Sequence, residues 1–207
     1  MPIKFTDLQQ AVPPVPRQNL LPEIRALLSG SAEAIVVLDD DPTGTQTVYD
    51  VPVLTEWSAS VIAAEFRLRT PLFFILTNSR SLYSQDAASL AEIIGENLRE
   101  ASRQTGRNFR IISRSDSTLR GHYPVEVDAL LHSLGQEEAL RIIAPAFFEG
   151  GRFTYQNTHY VLENNELVPA GETPFAQDKT FGYQSSDLTV WIEEKTQGKV
   201  KAQEVHF

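Results

Sequence analysis

The chain has 207 residues, 27 acidic against 18 basic side chains, a net charge of −9 and a pI near 4.9. That balance argues against a nucleic-acid or anionic-membrane surface. The absence of cysteine excludes disulfides, thiol catalysis and Cys-ligated zinc. A hydrophobic content of 42% is that of an ordinary globular domain. No basic-then-apolar leader opens the chain and no apolar run approaches membrane-spanning length, so a cytoplasmic protein is expected.

Residues 1–31 read as a lead-in to a domain over 32–207. Val12-Pro13-Pro14-Val15-Pro16 should be extended, because proline is excluded from helix interiors. Leu20, Ile24, Leu27 and Leu28 have helical spacing and predict a short helix over 20–28, packed on the domain. Residues 34–38 are apolar without interruption, the pattern of a strand buried on both faces of a parallel sheet. The run ends in Asp39-Asp40-Asp41. Asp41-Pro42-Thr43-Gly44 then has the residues of a type I turn.

A short strand over 51–54 is expected at an edge, because Pro52 cannot donate to a ladder. A helix follows over 58–67, with Val61, Ile62 and Phe66 inward. Leu72–Leu76 is a second continuous apolar strand and ends in Thr77-Asn78-Ser79-Arg80. Ser84–Thr105 is a long amphipathic helix with Leu90, Ile94, Leu98 and Ala101 in one stripe and Gly106 behind it. A third strand over 109–112 leads into a loop carrying Arg114, Asp116 and Arg120. A helix over 124–134 and a fourth apolar strand over 140–144 complete the regular part. Beyond it the sequence is less regular. A hairpin pairs 160–162 with 166–168, a helix spans 187–196, and a strand begins in 199–207.

Strand, polar loop and helix in repetition predict a doubly wound, mainly parallel α/β sheet with helices on both faces. Right-handed crossovers bring the strand-terminal loops to one carboxyl edge, where such sheets bind ligands. That edge would gather Asp39, Asp40, Asp41, Asn78, Arg80, Arg114, Asp116 and Arg120, together with Glu149 and Arg152. Three adjacent carboxylates repel one another unless a cation, an arginine or ligand hydroxyls use them. Carboxylates accept hydrogen bonds from sugar hydroxyls, and the guanidinium fork holds a carboxylate in bidentate fashion, so the mixture suits a small polyhydroxy acid. The alternative is an internal salt-bridge network. Gly150 and Gly151 would let backbone N–H groups approach a ligand, or form an ordinary turn. His122, beside Gly121, is the one histidine placed to serve such a site. No Gly-rich phosphate loop of the Walker or dinucleotide type is present.

Four stretches, LDDDPTGTQTV at 38–48, ILTNSRS at 75–81, SRSDSTLRGHYP at 113–124 and APAFFEGGR at 144–152, together resemble the N-terminal domain of the four-carbon acid sugar kinases. That family includes 3-oxo-tetronate and D-threonate kinases, and ETPFAQDKTFGYQSSDL at 172–188 is similar to a further family stretch. The resemblance implies an ATP-dependent kinase whose N-terminal α/β domain holds the sugar acid. ATP and Mg²⁺ would sit mainly in a C-terminal domain that this sequence lacks. It places Asp39, Asp40, Asn78, Arg80, Arg114, Asp116 and Arg120 in the substrate pocket, with Asp39 and Asp40 as catalytic candidates and no metal ligands. Asp41 carries over less closely, since some relatives have a shorter acidic run.

The partners implied are a small sugar acid and the C-terminal domain, and the chain alone is expected to lack turnover. Two rivals stand beside this reading. Asp39 and Asp41 after a buried strand also mimic a haloacid-dehalogenase-like phosphatase, although Lys179 does not stand where that chemistry needs a lysine. A non-catalytic sugar-acid binding module would use the same pocket.

Overall fold

The computed structural model describes residues 2–14, 18–45 and 48–207. Its first elements are strand β1 (Ile3–Lys4), helix α1 (Phe5–Ala11) and helix α2 (Leu21–Ser29). The continuous apolar runs then build a parallel sheet. Strand β2 (Ala34–Asp39) is followed by β3 (Val53–Leu54), helix α3 (Ala59–Arg67), β4 (Leu72–Leu76), helix α4 (Ser84–Thr105), β5 (Phe109–Arg114) and helix α5 (Val125–Leu134). The strand order is β3-β4-β2-β5, with every pair parallel, so the Asp39 strand is central and the Pro52 strand lies at an edge as its proline requires.

One face of this sheet carries the main core. Ala34, Val36 and Leu38 of β2 and Phe73 and Ile75 of β4 alternate onto it. They meet Ile62, Ala63 and Phe66 of α3, Ala91, Ile94, Leu98 and Ala101 of α4, and Ala129 and Leu130 of α5. On the opposite face Val37 and Phe74 are buried, whereas Ile112 at the edge is 50% exposed. The α4 stripe is the expected one, and Gly106 ends the helix at φ 67° with its N–H on the Ser102 carbonyl.

A second sheet follows in sequence. Strands β6 (Arg152–Tyr155), β7 (Thr158–Glu163) and β8 (Glu166–Pro169) form an antiparallel meander, and β1 adds to β8 to give the order β1-β8-β7-β6. The expected hairpin across Glu163-Asn164-Asn165 is present, with both asparagines left-handed. Helix α6 (Leu188–Lys195), capped by Asp187, packs Leu188, Trp191 and Ile192 with Leu119, Val161, Ala170, Ala176 and Tyr183 into a second core. Among the described residues, no helix is long and apolar enough to cross a membrane.

Three expectations are corrected. The run over 140–144 is not a strand: Leu140 and Ile142 are 88% and 82% exposed. Competing anchors account for this. Arg141 pairs with Asp128 of α5 at 2.5 Å, Ile143 packs on the second core, and the Pro145 carbonyl accepts from Thr154 at 2.8 Å. Among the described residues, β5 therefore ends the parallel sheet with its outer edge unpaired. Residues 199–207 form a short 3₁₀ turn, Ala202–Glu204, held by Glu193 and Glu204 side chains rather than by a ladder. Helix α2 forms as its spacing requires but buries none of its residues; Leu21, Ile24, Leu27 and Leu28 are all exposed. The expected extended segment Val12–Pro16 lies partly outside the described residues, since Val15 and Pro16 are not described.

Candidate functional site

The register of the central strands puts the first two functional side chains together. Asp39 and Arg114 are paired residues at the last positions of β2 and β5. Arg114 Nη1 donates to Asp39 Oδ1 at 2.9 Å. Asp39 is 0% exposed, and among the described residues its buried Oδ2 has no hydrogen-bond partner. Burial raises its pKa above the usual carboxylate value, against the opposing pull of Arg114. The Asp41–Gly44 turn forms as expected, with the Gly44 N–H on the Asp41 carbonyl at 3.2 Å. It folds back over Asp39 so closely that a Cβ at position 44 would overlap the carboxylate and the Arg114 guanidinium. Only glycine leaves room there.

Asp40 points into a different set of partners. Arg80, in the 3₁₀ turn after β4, donates Nη2 to Asp40 Oδ1 at 2.6 Å and Nε to Oδ2 at 3.1 Å, a bidentate grip. Ser115 adds a third bond to Oδ2 at 2.7 Å. Arg80 Nη1 reaches Asp41 Oδ2 at 3.0 Å. Hydrogen bonding from Thr43 holds Asp41 below its ordinary value, and Arg80 adds to that against the effect of burial. Behind Asp40 lies a cavity of about 20 Å³, enough for one water. It is lined by Thr77, Ser79, Ser113 and Glu126 as well as by apolar core residues, and burial raises the Glu126 carboxyl above its usual range.

The loop after β5 supplies the third group. Asp116 accepts from Thr118 and from Arg120 Nε, the latter at 2.9 Å. Burial alone would raise Asp116, but the Arg120 and Thr118 hydrogen bonds and the nearby charges of Arg120 and Arg80 outweigh it and lower the pKa. Arg120 lies 5.0 Å over the Phe175 ring, and its Nη1 is 3.8 Å from Asp178. The second sheet unit holds this loop from behind. His159 Nε2 meets the Ser117 carbonyl at 2.8 Å, and the Tyr183 hydroxyl donates to the Thr118 carbonyl at 2.8 Å. Burial lowers the His159 pKa, and a neutral ring with its proton on Nε2 satisfies that bond.

The structure thus brings together Asp39, Asp40, Asp41, Arg80, Arg114, Asp116 and Arg120. Asn78 is placed otherwise: it is left-handed at φ 52°, exposed, and its amide reaches Ser81 at 3.4 Å. Gly150 and Gly151 turn the chain into β6, packed against Phe147, Arg152 and Leu162. His122 is buried, bonded to the Ser79 carbonyl and set edge-on to Phe181, which is a packing role. Phe175 and Asp178 escaped the sequence reading. Asp178 opens its own turn by accepting the N–H groups of Thr180 and Phe181, and this Asp-x-Thr pattern was the available signal.

A buried acid–guanidinium cluster stands at the carboxyl edge of a parallel sheet, flanked by an antiparallel unit, which is where open α/β domains place their ligand sites. The chain belongs to the sugar-binding N-terminal domain family, whose model matches residues 35–206, and this is the N-terminal domain type of the four-carbon acid sugar kinases. It is 34% identical over 152 residues to a D-threonate kinase of Bordetella bronchiseptica, covering 70% of this chain and 35% of that protein. Two crystal forms of a domain of unknown function from Bordetella bronchiseptica, each a domain-swapped dimer with bound citrate, have TM-scores of 0.59 at 26% identity. They cover 76% and 78% of this chain and 39% and 41% of theirs. The chain spans little more than a third of the length of these relatives.

Proposed function

We propose that this chain is the substrate-holding part of an ATP-dependent kinase that phosphorylates a hydroxyl of a four-carbon sugar acid. The observation that carries this reading is the Asp39–Arg114 pair: a buried carboxylate with one oxygen unused among the described residues, beside a partly exposed guanidinium. A sugar acid needs an anion-binding fork and an acceptor for the hydroxyl that will react. The D-threonate kinase relative and the citrate, a hydroxy acid, held by the two solved relatives support the same class of ligand.

The geometry divides the two catalytic candidates. Asp40 has both oxygens occupied by Arg80 and Ser115, so its role is to fix Arg80. Among the described residues Asp39 keeps Oδ2 uncommitted, and it becomes the proton acceptor once the Gly44 turn yields to a ligand. The residues present do not fit ATP or its metal. The sequence has no Gly-rich phosphate loop, and among the described residues no group of three acidic or histidine side chains could hold an ion. Both are assigned to the part of the kinase that this chain does not span. A phosphatase using Asp39 as nucleophile would also need a lysine and a further acidic pair beside it, and among the described residues no such acidic group is gathered there.

Calorimetry tests the reading. D-threonate should bind the chain weakly, and the uncharged polyol threitol at least tenfold more weakly, because a charge-assisted hydrogen bond contributes about 1.5–3 kcal/mol. In a coupled assay, the chain alone should release no ADP from ATP. Equal affinity for the acid and the polyol would refute the site, and sugar-acid-dependent ADP release would refute the placement of ATP.

A further inference from the structure

The parallel sheet and the segment after α5 each leave unmade the bonds that the other can supply. β5 pairs with β2 on one side, and among the described residues no strand covers its other side. Among the same residues, no backbone N–H or carbonyl of 140–144 enters a hydrogen bond. Leu140 and Ile142 stand in solvent, while Arg141 and Ile143 turn to Asp128 and to the second core. That alternation is the pattern of a strand with one wet face. On β5 the faces divide in the same way: Phe109 and Ile111 pack on the main core, and Ile112 faces away from it, half exposed.

We propose that residues 140–144 are a strap that moves between its present seat and the free edge of β5, to which it adds as a further parallel strand. The topology allows the move. α4 carries the chain from β4 past β2 to β5 on the face of the main core, and α5 leaves β5 on that same face. A strand laid beyond β5 continues in the same direction, so its crossover has the same hand. The helix supplies the crossover that parallel strands need, and residues 135–139 link its end to the strap, starting from the left-handed Gly135. A tether this short holds the strap near β5 at a far higher effective concentration than a second copy reaches. With Arg141 and Ile143 turned toward α5, the docked strap keeps the Arg141–Asp128 pair and sets Ile142 on the face of Ile112. Two exposed apolar side chains then cover one another. A parallel strand also ends at the carboxyl edge of the sheet. Residues 145–149, which leave the strap, therefore close the flank of that edge beyond Arg114 when the strap is docked.

The chain has no cysteine, so engineered pairs report on the strap alone. A disulfide forms only where the Cα atoms come within about 7 Å. Ile112→Cys, combined in turn with Leu140→Cys, Ile142→Cys and Ala144→Cys, spans the registers of the docked strand. Mild oxidation should close one of these three pairs within a single chain. Ile112→Cys with Ile143→Cys, on opposite faces, should stay reduced. Failure of all three pairs, or equal closure of the Ile143→Cys pair, would overturn the strap. Bonds that join two chains on a non-reducing gel would give the edge to a second copy and overturn it as well. Hydrogen exchange on the unaltered chain needs no substitution. The amides of 141–144 should exchange about tenfold or more slowly than in an unstructured peptide, at a rate independent of protein concentration. Their present seat gives them no acceptor among the described residues, so the protection would come from the docked form. Exchange at the unstructured rate would refute the proposal.

Discussion

Two aspartates of the site respond to pH in opposite senses. Asp116 has a folded-state pKa below its ordinary value, so it contributes stability above that value and loses it as the pH falls through the lowered pKa. Asp39 has a raised pKa: its contribution is complete below the ordinary carboxylate value and is lost as the pH rises through the raised one. Asp116→Asn should therefore lower Tm at pH 7 and cost much less near pH 2. The expected loss at pH 7 is about 1.5–3 kcal/mol, the worth of a charge-assisted bond, or several degrees in a chain of this size. Asp39→Asn should leave Tm at pH 7 equal or higher, because the amide oxygen can still accept from Arg114 without burying a charge. Thermal melts of both variants at the two pH values check the pair of signs. A drop in Asp39→Asn as large as in Asp116→Asn would mean that Asp39 serves the fold and not the ligand.

At the scale of elements, the second sheet unit shapes the Arg114–Gly121 loop through two carbonyls. Tyr183 is buried, burial raises its pKa, and its hydroxyl stands on the Thr118 carbonyl. Tyr183→Phe strands that carbonyl and should cost about 1–3 kcal/mol, with D-threonate affinity falling alongside. Denaturant melts and calorimetry on one sample separate the two effects, and a stability loss with intact affinity would show that the loop needs no such support. This link was not legible in the sequence, because Tyr183 and Thr118 are 65 residues apart and no periodicity joins them. By contrast, the parallel strands and α4 were legible, since an unbroken apolar run and a 3.6-residue stripe record burial directly. The run over 140–144 shows the limit of that signal. Its composition fits a strand, yet Arg141 and Pro145 tie it to α5 and β6, and hydropathy does not see those partners. The site was legible as a set of loops. Which aspartate keeps a free oxygen was not, because that depends on how Arg80 and Ser115 distribute their bonds.

On the scale of the whole molecule, the outer edge of β5 has no strand partner among the described residues, and Ile112 on that strand is half exposed. An unpaired strand edge is a template for another chain, and proteins guard such edges with charge. Here the local guard is Arg110, itself paired to Glu33 at 2.6 Å, and the global guard is a net charge of −9. The global guard vanishes near the pI of 4.9. Light scattering should therefore detect reversible association close to that pH and dispersal at pH 8, and Ile112→Lys should suppress it. Association unaffected by Ile112→Lys would place the contact elsewhere, such as the exposed leucines of α2. The strand that carries Arg114 to Asp39 should thus also govern the colloidal behaviour of the chain, with solubility expected to be lowest in the acidic buffers that suit a carboxylate titration.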